Sequence, residues 1–174
     1  MRRTLLFVLG LLVVGFGLPA CSGEADKSLA PFQGEGFTVS MPGKPERSTQ
    51  TTPTAAGELT IVLYTSQSSD EAYTVGYTDI PGGAEADLAD VIQGSASSVK
   101  GTASDEVDST YQGFRARDAR ISNASDDKGN KATVFLRALL AGDRLYQLQY
   151  LQKGADVKTA PAEYAEFLAS LKIG

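Results

Sequence analysis

Lys131-Ala132-Thr133-Val134-Phe135-Leu136-Arg137-Ala138-Leu139-Leu140 and Arg144-Leu145-Tyr146-Gln147-Leu148-Gln149-Tyr150-Leu151 are two strand-like runs separated only by Ala141-Gly142-Asp143. In an extended chain successive side chains point to opposite faces, so Tyr146, Leu148 and Tyr150 share one face of the second run. A Gly-Asp turn between two such runs predicts a β-hairpin, and a hairpin makes its strands antiparallel.

The pattern continues upstream. Val107 to Tyr111 and Phe114 to Ile121 flank Gln112-Gly113, a second tight-turn signal, and the polar cluster Asn123 to Asn130 links them to the hairpin. Before Gly101 the period changes. Leu88, Val91, Ile92, Ala96 and Val99 recur at spacings of three and four, the stripe of an amphipathic helix. Glu85, Asp87 and Asp90 suit the positive end of that helix, and Lys100-Gly101 suits its stop.

Further upstream, Phe37, Val39 and Met41 predict a strand stopped by Pro42-Gly43. Residues 44–57 read as an exposed loop or a poor edge strand. Glu58 to Tyr64 and Ala72 to Ile80 alternate β-branched and aromatic residues as strands do. Downstream, Tyr164, Phe167, Leu168 and Leu171 form a second helical stripe, with Thr159 as its cap and Pro161 in its first turn. The expected order is β-β-β-α-β-β-β-α. This is an α+β fold, a mainly antiparallel sheet of about six strands with two packed helices.

Some of these residues carry a family likeness. Phe37-Thr38-Val39-Ser40-Met41-Pro42-Gly43-Lys44-Pro45 resembles the opening strand of small extracytoplasmic proteins with the Mog1/PsbP-like fold. The hairpin Ala132 to Leu151 and the closing stretch Tyr164 to Leu171 are similar to their pattern as well. The resemblance covers residues 32–173 and implies a non-catalytic binding or accessory module.

The N-terminus reads differently. Met1-Arg2-Arg3 precedes an uncharged run from Leu5 to Leu18. As a helix that run reaches about 21 Å, short of the roughly 30 Å hydrocarbon core, so it suits a signal sequence better than a permanent span. From these residues alone an ordinary secretory signal or an uncleaved anchor stays open. Leu18-Pro19-Ala20-Cys21, however, resembles the lipobox of bacterial lipoproteins. That resemblance implies cleavage before Cys21 and a diacylglycerol thioether on its sulfur. Cys21 is the only cysteine in the chain. Two or more acyl chains there would anchor the protein without a transmembrane helix.

The expected organisation is a signal peptide over 1–20, a flexible tether over 21–31 and one α+β domain over 32–174. The expected address is extracytoplasmic, in a bacterial cell envelope, held to a membrane through the lipid on Cys21. Removal of residues 1–20 would leave 154 residues with 14 basic and 21 acidic side chains.

Composition narrows the chemistry. The chain has no histidine and no tryptophan. Without histidine there is no Ser-His-Asp or Cys-His nucleophile and no His-ligated metal. A formal charge of −5 over the whole chain argues against nucleic acid, which demands a basic footprint. Ser97-Ser98-Val99-Lys100 matches Ser-x-x-Lys, but its companion motifs are missing and Ser97 lies near a helix end rather than at its start. Asn123 to Asn130 fails as a calcium loop, because aligning Gly129 with the sixth position puts Ala124 first and Lys128 fifth. Gly34-Glu35-Gly36 precedes a strand, not the helix that a dinucleotide fingerprint needs. Asp105, Glu106, Asp108, Asp126, Asp127, Glu163 and Glu166 read as surface charges.

No catalytic residue, metal ligand or cofactor is therefore assigned; the one assigned site is Cys21. Tyr64, Tyr73, Tyr77, Tyr111, Tyr146 and Tyr150 lie in predicted strands, with Arg115, Arg117, Arg120 and Arg137 nearby. Such residues build binding surfaces or cross-strand core pairs, and both readings stay open, with Tyr77, Tyr146 and Tyr150 favoured for the core. The functional expectation is a module that binds an envelope protein partner. The alternative is a carrier or sensor of a small apolar ligand such as a lipid, held where Leu88, Val91 and Ile92 face Leu59 and Leu63.

Overall fold

In the computed structural model, residues 28–54, 57–80, 86–126 and 128–174 are described. The apolar N-terminal run, Cys21 and Glu85 lie outside the described residues. The chain opens with a hairpin of β1 (Leu29–Gly34) and β2 (Phe37–Pro42) and continues through β3 (Glu46–Thr54), β4 (Gly57–Gln67) and β5 (Glu71–Asp79). Helix α1 (Leu88–Ser98) precedes β6 (Thr102–Tyr111), β7 (Phe114–Ser125), β8 (Lys131–Ala141) and β9 (Arg144–Lys153). Helix α2 (Ala162–Ser170) and the short β10 (Lys172–Ile173) close the chain.

The α+β class holds, but the described strands number ten and form two sheets, against about six expected. A seven-stranded antiparallel sheet runs β3-β4-β5-β9-β8-β7-β6, and a small sheet runs β1-β2-β10. Each excess has a local cause. Strand β1 begins at Leu29, inside the stretch read as tether, and carries Pro31. Proline donates no ladder hydrogen bond, and an edge strand tolerates it. The threonine-rich β3 pairs with β4 from Glu46↔Thr65 to Thr54↔Gly57 and forms one margin of the large sheet. The edge-strand option for residues 44–57 is thus the one realised. Strand β10 has only two residues, too few for a periodicity, and pairs with β2.

The β8–β9 hairpin forms as its sequence predicts, but with a tighter turn. Ala141 pairs with Arg144, so only Gly142 and Asp143 turn the chain. Gly142 takes φ +60°, the left-handed value that a two-residue turn requires at its first position.

Helix α1 lies on one face of the large sheet, against β6, β7 and β8. The Asp87 carboxylate caps it by accepting from the Ala89 N–H at 2.8 Å. Its stop follows the expected Lys100-Gly101 signal, with Lys100 at φ +54° and the Gly101 N–H donating to the Ala96 carbonyl at 2.9 Å. Helix α2 and the small sheet cover the other face. There the cap differs from expectation: Pro161, not Thr159, holds the N-cap position, and no side chain caps it. Helix α2 is tied to the small sheet instead, where the Ser40 N–H donates to the Ser170 hydroxyl at 2.8 Å.

The large sheet thus separates two cores. The α1 side buries Leu59, Ile61, Leu63, Leu88, Val91, Ile92, Ile121 and Leu136 among others in one cluster. The residues nominated to hold an apolar ligand belong to that single buried cluster. The opposite side buries Phe37, Tyr64, Tyr73, Tyr77, Phe135, Tyr146, Tyr150, Tyr164 and Phe167.

Candidate functional site

The aromatic face carries two polar features, one toward each end of β5. The first is the β1–β2 turn at Glu35-Gly36, where Gly36 takes φ +81°. Its ligands come from strands of the large sheet. The Glu35 carboxylate accepts from the Tyr77 hydroxyl at 2.5 Å, from the Tyr64 hydroxyl at 3.1 Å and from Arg47 Nε at 3.2 Å. Tyr146 donates to the Gly36 carbonyl at 3.2 Å, and Arg144 Nη1 donates to the Glu35 carbonyl at 3.0 Å. The Arg144 guanidinium also stands 4.3 Å from the centre of the Tyr77 ring and pairs with Asp79. Phenol donors, followed by Arg47, hold the Glu35 carboxyl below the usual carboxylate range. Burial, followed by Glu35 itself, pushes the Tyr77 phenol up to about 12.

The second feature is a half-open groove of about 510 Å³. Pro42, Gly43 and Lys44, just past β2, form one side, and Glu46, Arg47 and Ser48 at the start of β3 another. Thr65 to Ser68, Glu71 and Tyr73 come from the β4–β5 hairpin, and Pro161 and Glu163 from the start of α2. The size is that of an ordinary small-ligand cleft. Ser66 fastens the rim by donating to the Pro42 carbonyl.

Tyr73 forms the inner wall of the groove, 6% exposed, packed edge-on against Tyr150 at 5.0 Å and Phe167 at 5.4 Å. Burial, then the charges of Glu71, Glu163 and Glu166, push its phenol up to about 12. Tyr150 lies behind it, fully buried, with its hydroxyl directed at the Glu71 carboxylate. Burial first, then Glu71, Tyr73 and Glu163, push that phenol upward too. The groove thus presents carboxylates, hydroxyls and prolines around a phenol that stays protonated at neutral pH. Among the described residues no group of three or more His, Cys, Asp or Glu side chains is placed to hold a metal ion.

The residues singled out in the sequence fall into clear groups. Tyr64, Tyr77 and Tyr146 hold the Glu35-Gly36 turn, while Tyr73 and Tyr150 line or back the groove. All five are buried. Tyr111 donates to the Leu171 carbonyl at 2.9 Å at the end of α2, with the Arg137 guanidinium 5.3 Å from its ring centre. Three of the four arginines are held by acids: Arg117 by Glu106 and Asp108, Arg120 by Asp105 and Asp156, and Arg137 by Asp118.

Asp126 closes its own turn, accepting from the Lys128 and Asn130 N–H groups at 2.9 Å each. Ser97 is exposed near the end of α1 and donates to the Gln93 carbonyl at 2.8 Å, so no base receives its proton. Glu163 departs from the surface-charge reading most usefully. It lines the groove opposite Glu71, a meeting of distant segments that no local spacing signals. Cys21 lies outside the described residues.

No family model and no curated protein sequence matches the chain. Among solved structures it is similar to the solution structure of cyanobacterial PsbP (CyanoP) from Synechocystis sp. PCC 6803. The TM-score is 0.55 at 12% sequence identity, over 90% of this chain and 99% of that one. At that identity the likeness is one of architecture, shared along nearly the full length of both chains. With its antiparallel sheets, two helices and this neighbour, the chain has a PsbP-like fold.

Proposed function

We propose that this chain is a lipid-anchored extracytoplasmic module that binds an envelope protein partner without catalysis, using the groove around Tyr73 as its contact site. The observation that carries the reading is the groove itself. It is the size of a ligand cleft and is framed by three separate parts of the chain. Its Ser66 hydroxyl is committed to the Pro42 carbonyl, and its Tyr73 phenol is buried beside the charges of Glu71 and Glu163. The PsbP-like architecture supports an accessory role.

The anchor belongs to the same reading. Leu29 pairs with Pro42, a groove-lining residue, so the chain enters the fold beside the groove. From Cys21 to Leu29 an extended chain spans at most about 29 Å. A lipid on Cys21 would therefore keep the groove close to the bilayer, where membrane-bound partners are concentrated.

The test exploits the single cysteine. With Cys21 acylated, Gln67→Cys places the only free thiol at the groove rim, and Val107→Cys places one on β6, where Val107 is 58% exposed. Thiol cross-linking in native membranes is expected to give a discrete protein adduct from position 67 and none from position 107. Equal adducts from both positions, or none from position 67, would overturn the reading. Cys21→Ser is expected to abolish acyl labelling and move the chain into the soluble fraction; unchanged fractionation would refute the anchor.

A further inference from the structure

We infer that the partner is held by main-chain pairing, an extended and uncharged segment of it adding as a strand to the outer edge of β3; the inference rests on the proposed function for the existence of a partner. Hydrogen bonding on the inner strands fixes which backbone groups of β3 face out. The Ser68 N–H donates to the Glu71 carbonyl at 2.8 Å, closing the β4–β5 hairpin. Bonded and non-bonded pairs alternate along an antiparallel ladder, so Ser66, Tyr64 and Val62 bond to β5. On the far side of β5 the Ile80 N–H donates to the Asp143 carbonyl at 2.7 Å, which keeps the same alternation. Thr65, Leu63, Ile61 and Leu59 therefore turn to β3, where they pair with Glu46, Ser48, Gln50 and Thr52. Arg47, Thr49 and Thr51 are left with their N–H and C=O groups directed outward. Pro53 falls in the same outward set, where a residue without an N–H is tolerated.

The other sheet edges are closed to such a strand. At the opposite margin of the large sheet, β6 is bent by a register shift between Ser104 and Val107, with Asp105 at φ +55°, and it carries Asp105, Glu106 and Asp108. Bulges and edge charges keep strands from pairing. Strand β1 places Pro31 in the middle of its outward set, because the Gly34↔Phe37 pair closes a two-residue turn and leaves Leu29, Pro31 and Gln33 facing out. Strand β10 has only two residues. From Ser48 to Thr52, β3 has no charge, no proline and no register shift. Its Arg47 is drawn onto Glu35 at 3.1 Å, and among the described residues no strand lies on its outer side.

The edge also specifies its occupant. Serine, threonine and glutamine side chains offer a charged strand no counter-charge, so recognition runs through the backbone. Glu46, Arg47 and Ser48 both begin β3 and line the groove, so an added strand runs directly into it. A second copy of this chain fits less well. In the two-fold register that bonds Thr49 of each copy to Thr51 of the other, Pro53 meets Arg47 and cannot donate to its carbonyl.

The test compares amide exchange of the purified full chain in detergent with exchange in native membranes, quenched before extraction. Thr49 and Thr51 are expected to exchange freely in detergent and about tenfold or more slowly in native membranes, while the ladder amide of Gln50 is slow in both. Thr51→Pro removes one outward donor without touching the β3–β4 ladder. It is expected to leave the thermal midpoint of the purified chain unchanged, and to abolish both the slowing at Thr49 and the adduct from position 67. Thr110→Pro makes the same change at an exposed outward position of β6, next to the Tyr111↔Phe114 pair that closes its turn, and is expected to keep both. Should Thr51→Pro fail to fold, the exchange comparison on the unaltered chain decides.

Slowing at Thr49 and Thr51, with an adduct from position 67 that Thr51→Pro removes, sustains the inference. Slowing without any adduct from position 67 sustains it too, and moves the contact from the groove to the edge. Equal exchange in both settings overturns it. So does an adduct that survives Thr51→Pro, an outcome that leaves the groove reading standing. Slowing that the purified chain reproduces on concentration, with an adduct of twice the mass of the chain, assigns the edge to a second copy and overturns the partner strand.

Discussion

The two faces of the seven-stranded sheet are built from different residues and do different work. The cluster under α1 consists of leucine, isoleucine, valine and alanine, without an aromatic ring. The cluster under α2 and the small sheet gathers phenylalanines and tyrosines. Aliphatic side chains have no polar end, so the α1 face can only exclude water and pack. Tyrosine adds a hydroxyl at the tip of a large apolar body, so a buried ring can still reach a polar group at the surface. On the aromatic face that tip fastens the Glu35-Gly36 turn at one end and forms the wall of the groove at the other. The comparison assigns packing to both faces and, under the proposed function, recognition to one.

Truncation in the core tests this with the largest effects. Phe167 is fully buried and touches both Tyr73 and Tyr164. Phe167→Ala is expected to cost about 3–5 kcal/mol by chemical denaturation and to abolish the cross-link from position 67, because Tyr73 loses its backing. Leu136 is equally buried on the α1 face. Leu136→Ala is expected to cost about 2–5 kcal/mol while leaving the cross-link from position 67 unchanged in the folded fraction. Equal loss of the cross-link from both variants would erase the distinction between the faces.

A smaller effect separates packing from the hydroxyl. Tyr77→Phe keeps the ring against Phe37 and Tyr146 but removes the 2.5 Å hydrogen bond to Glu35. It is expected to lower the thermal midpoint by about 2–4 °C. It should also raise amide exchange at Glu35 and Gly36 before any other turn. An unchanged midpoint together with unchanged exchange would show that the turn is held without its phenols.

These contrasts also explain how far the sequence could be read. The two hairpins flanking β7 and β8, the α1 stripe and the α2 stripe all announce themselves, because each repeats a period within one continuous segment. Strands β1 and β10 do not, since Ala30-Pro31 is a poor strand signal and two residues make no pattern. Whether Tyr73 is core or site could not be decided from alternation, which places it on the aromatic face but cannot say what opens above it. The groove is assembled from the ends of β2, β3, β5 and α2, so Glu71 and Glu163 meet only through tertiary packing. Glu35 was visible only as part of a failed glycine motif, although three tyrosines and two arginines of the large sheet converge on its turn.

Alkaline titration reads the aromatic face again. Tyr73 and Tyr77 both titrate near 12 in the folded chain, above the ordinary value of 10.0. The folded state therefore keeps protons that the unfolded state releases. The resulting stability is complete below pH 10 and is lost as pH rises from 10 towards 12. Tyr73→Phe is expected to flatten that loss in denaturation midpoints measured across this window, whereas Leu136→Ala should shift the whole curve without changing its slope. An unaltered alkaline slope in Tyr73→Phe would place its phenol in water and remove the wall from the groove.

The smallest expected effect lies at the acid end and concerns the turn. Glu35 has a lowered carboxyl pKa because Tyr77, then Tyr64, donate to its charged form, with Arg47 beside them. A group whose folded pKa is depressed contributes stability above its ordinary value of 4.5, and loses it as pH falls through the folded value. Its side chain is 57% exposed, so solvent screens much of the interaction and the contribution is slight. Glu35→Gln is expected to leave the midpoint nearly unchanged near neutrality and to reduce the acid-side slope of stability below pH 4.5. Tyr77→Phe should reduce the same slope, because it removes the shortest hydrogen bond to the carboxylate. If Glu35→Gln alters the slope and Tyr77→Phe does not, the charge of Glu35 is set by Tyr64 and Arg47, and the strongest fastening of the turn moves from β5 to the β3–β4 margin.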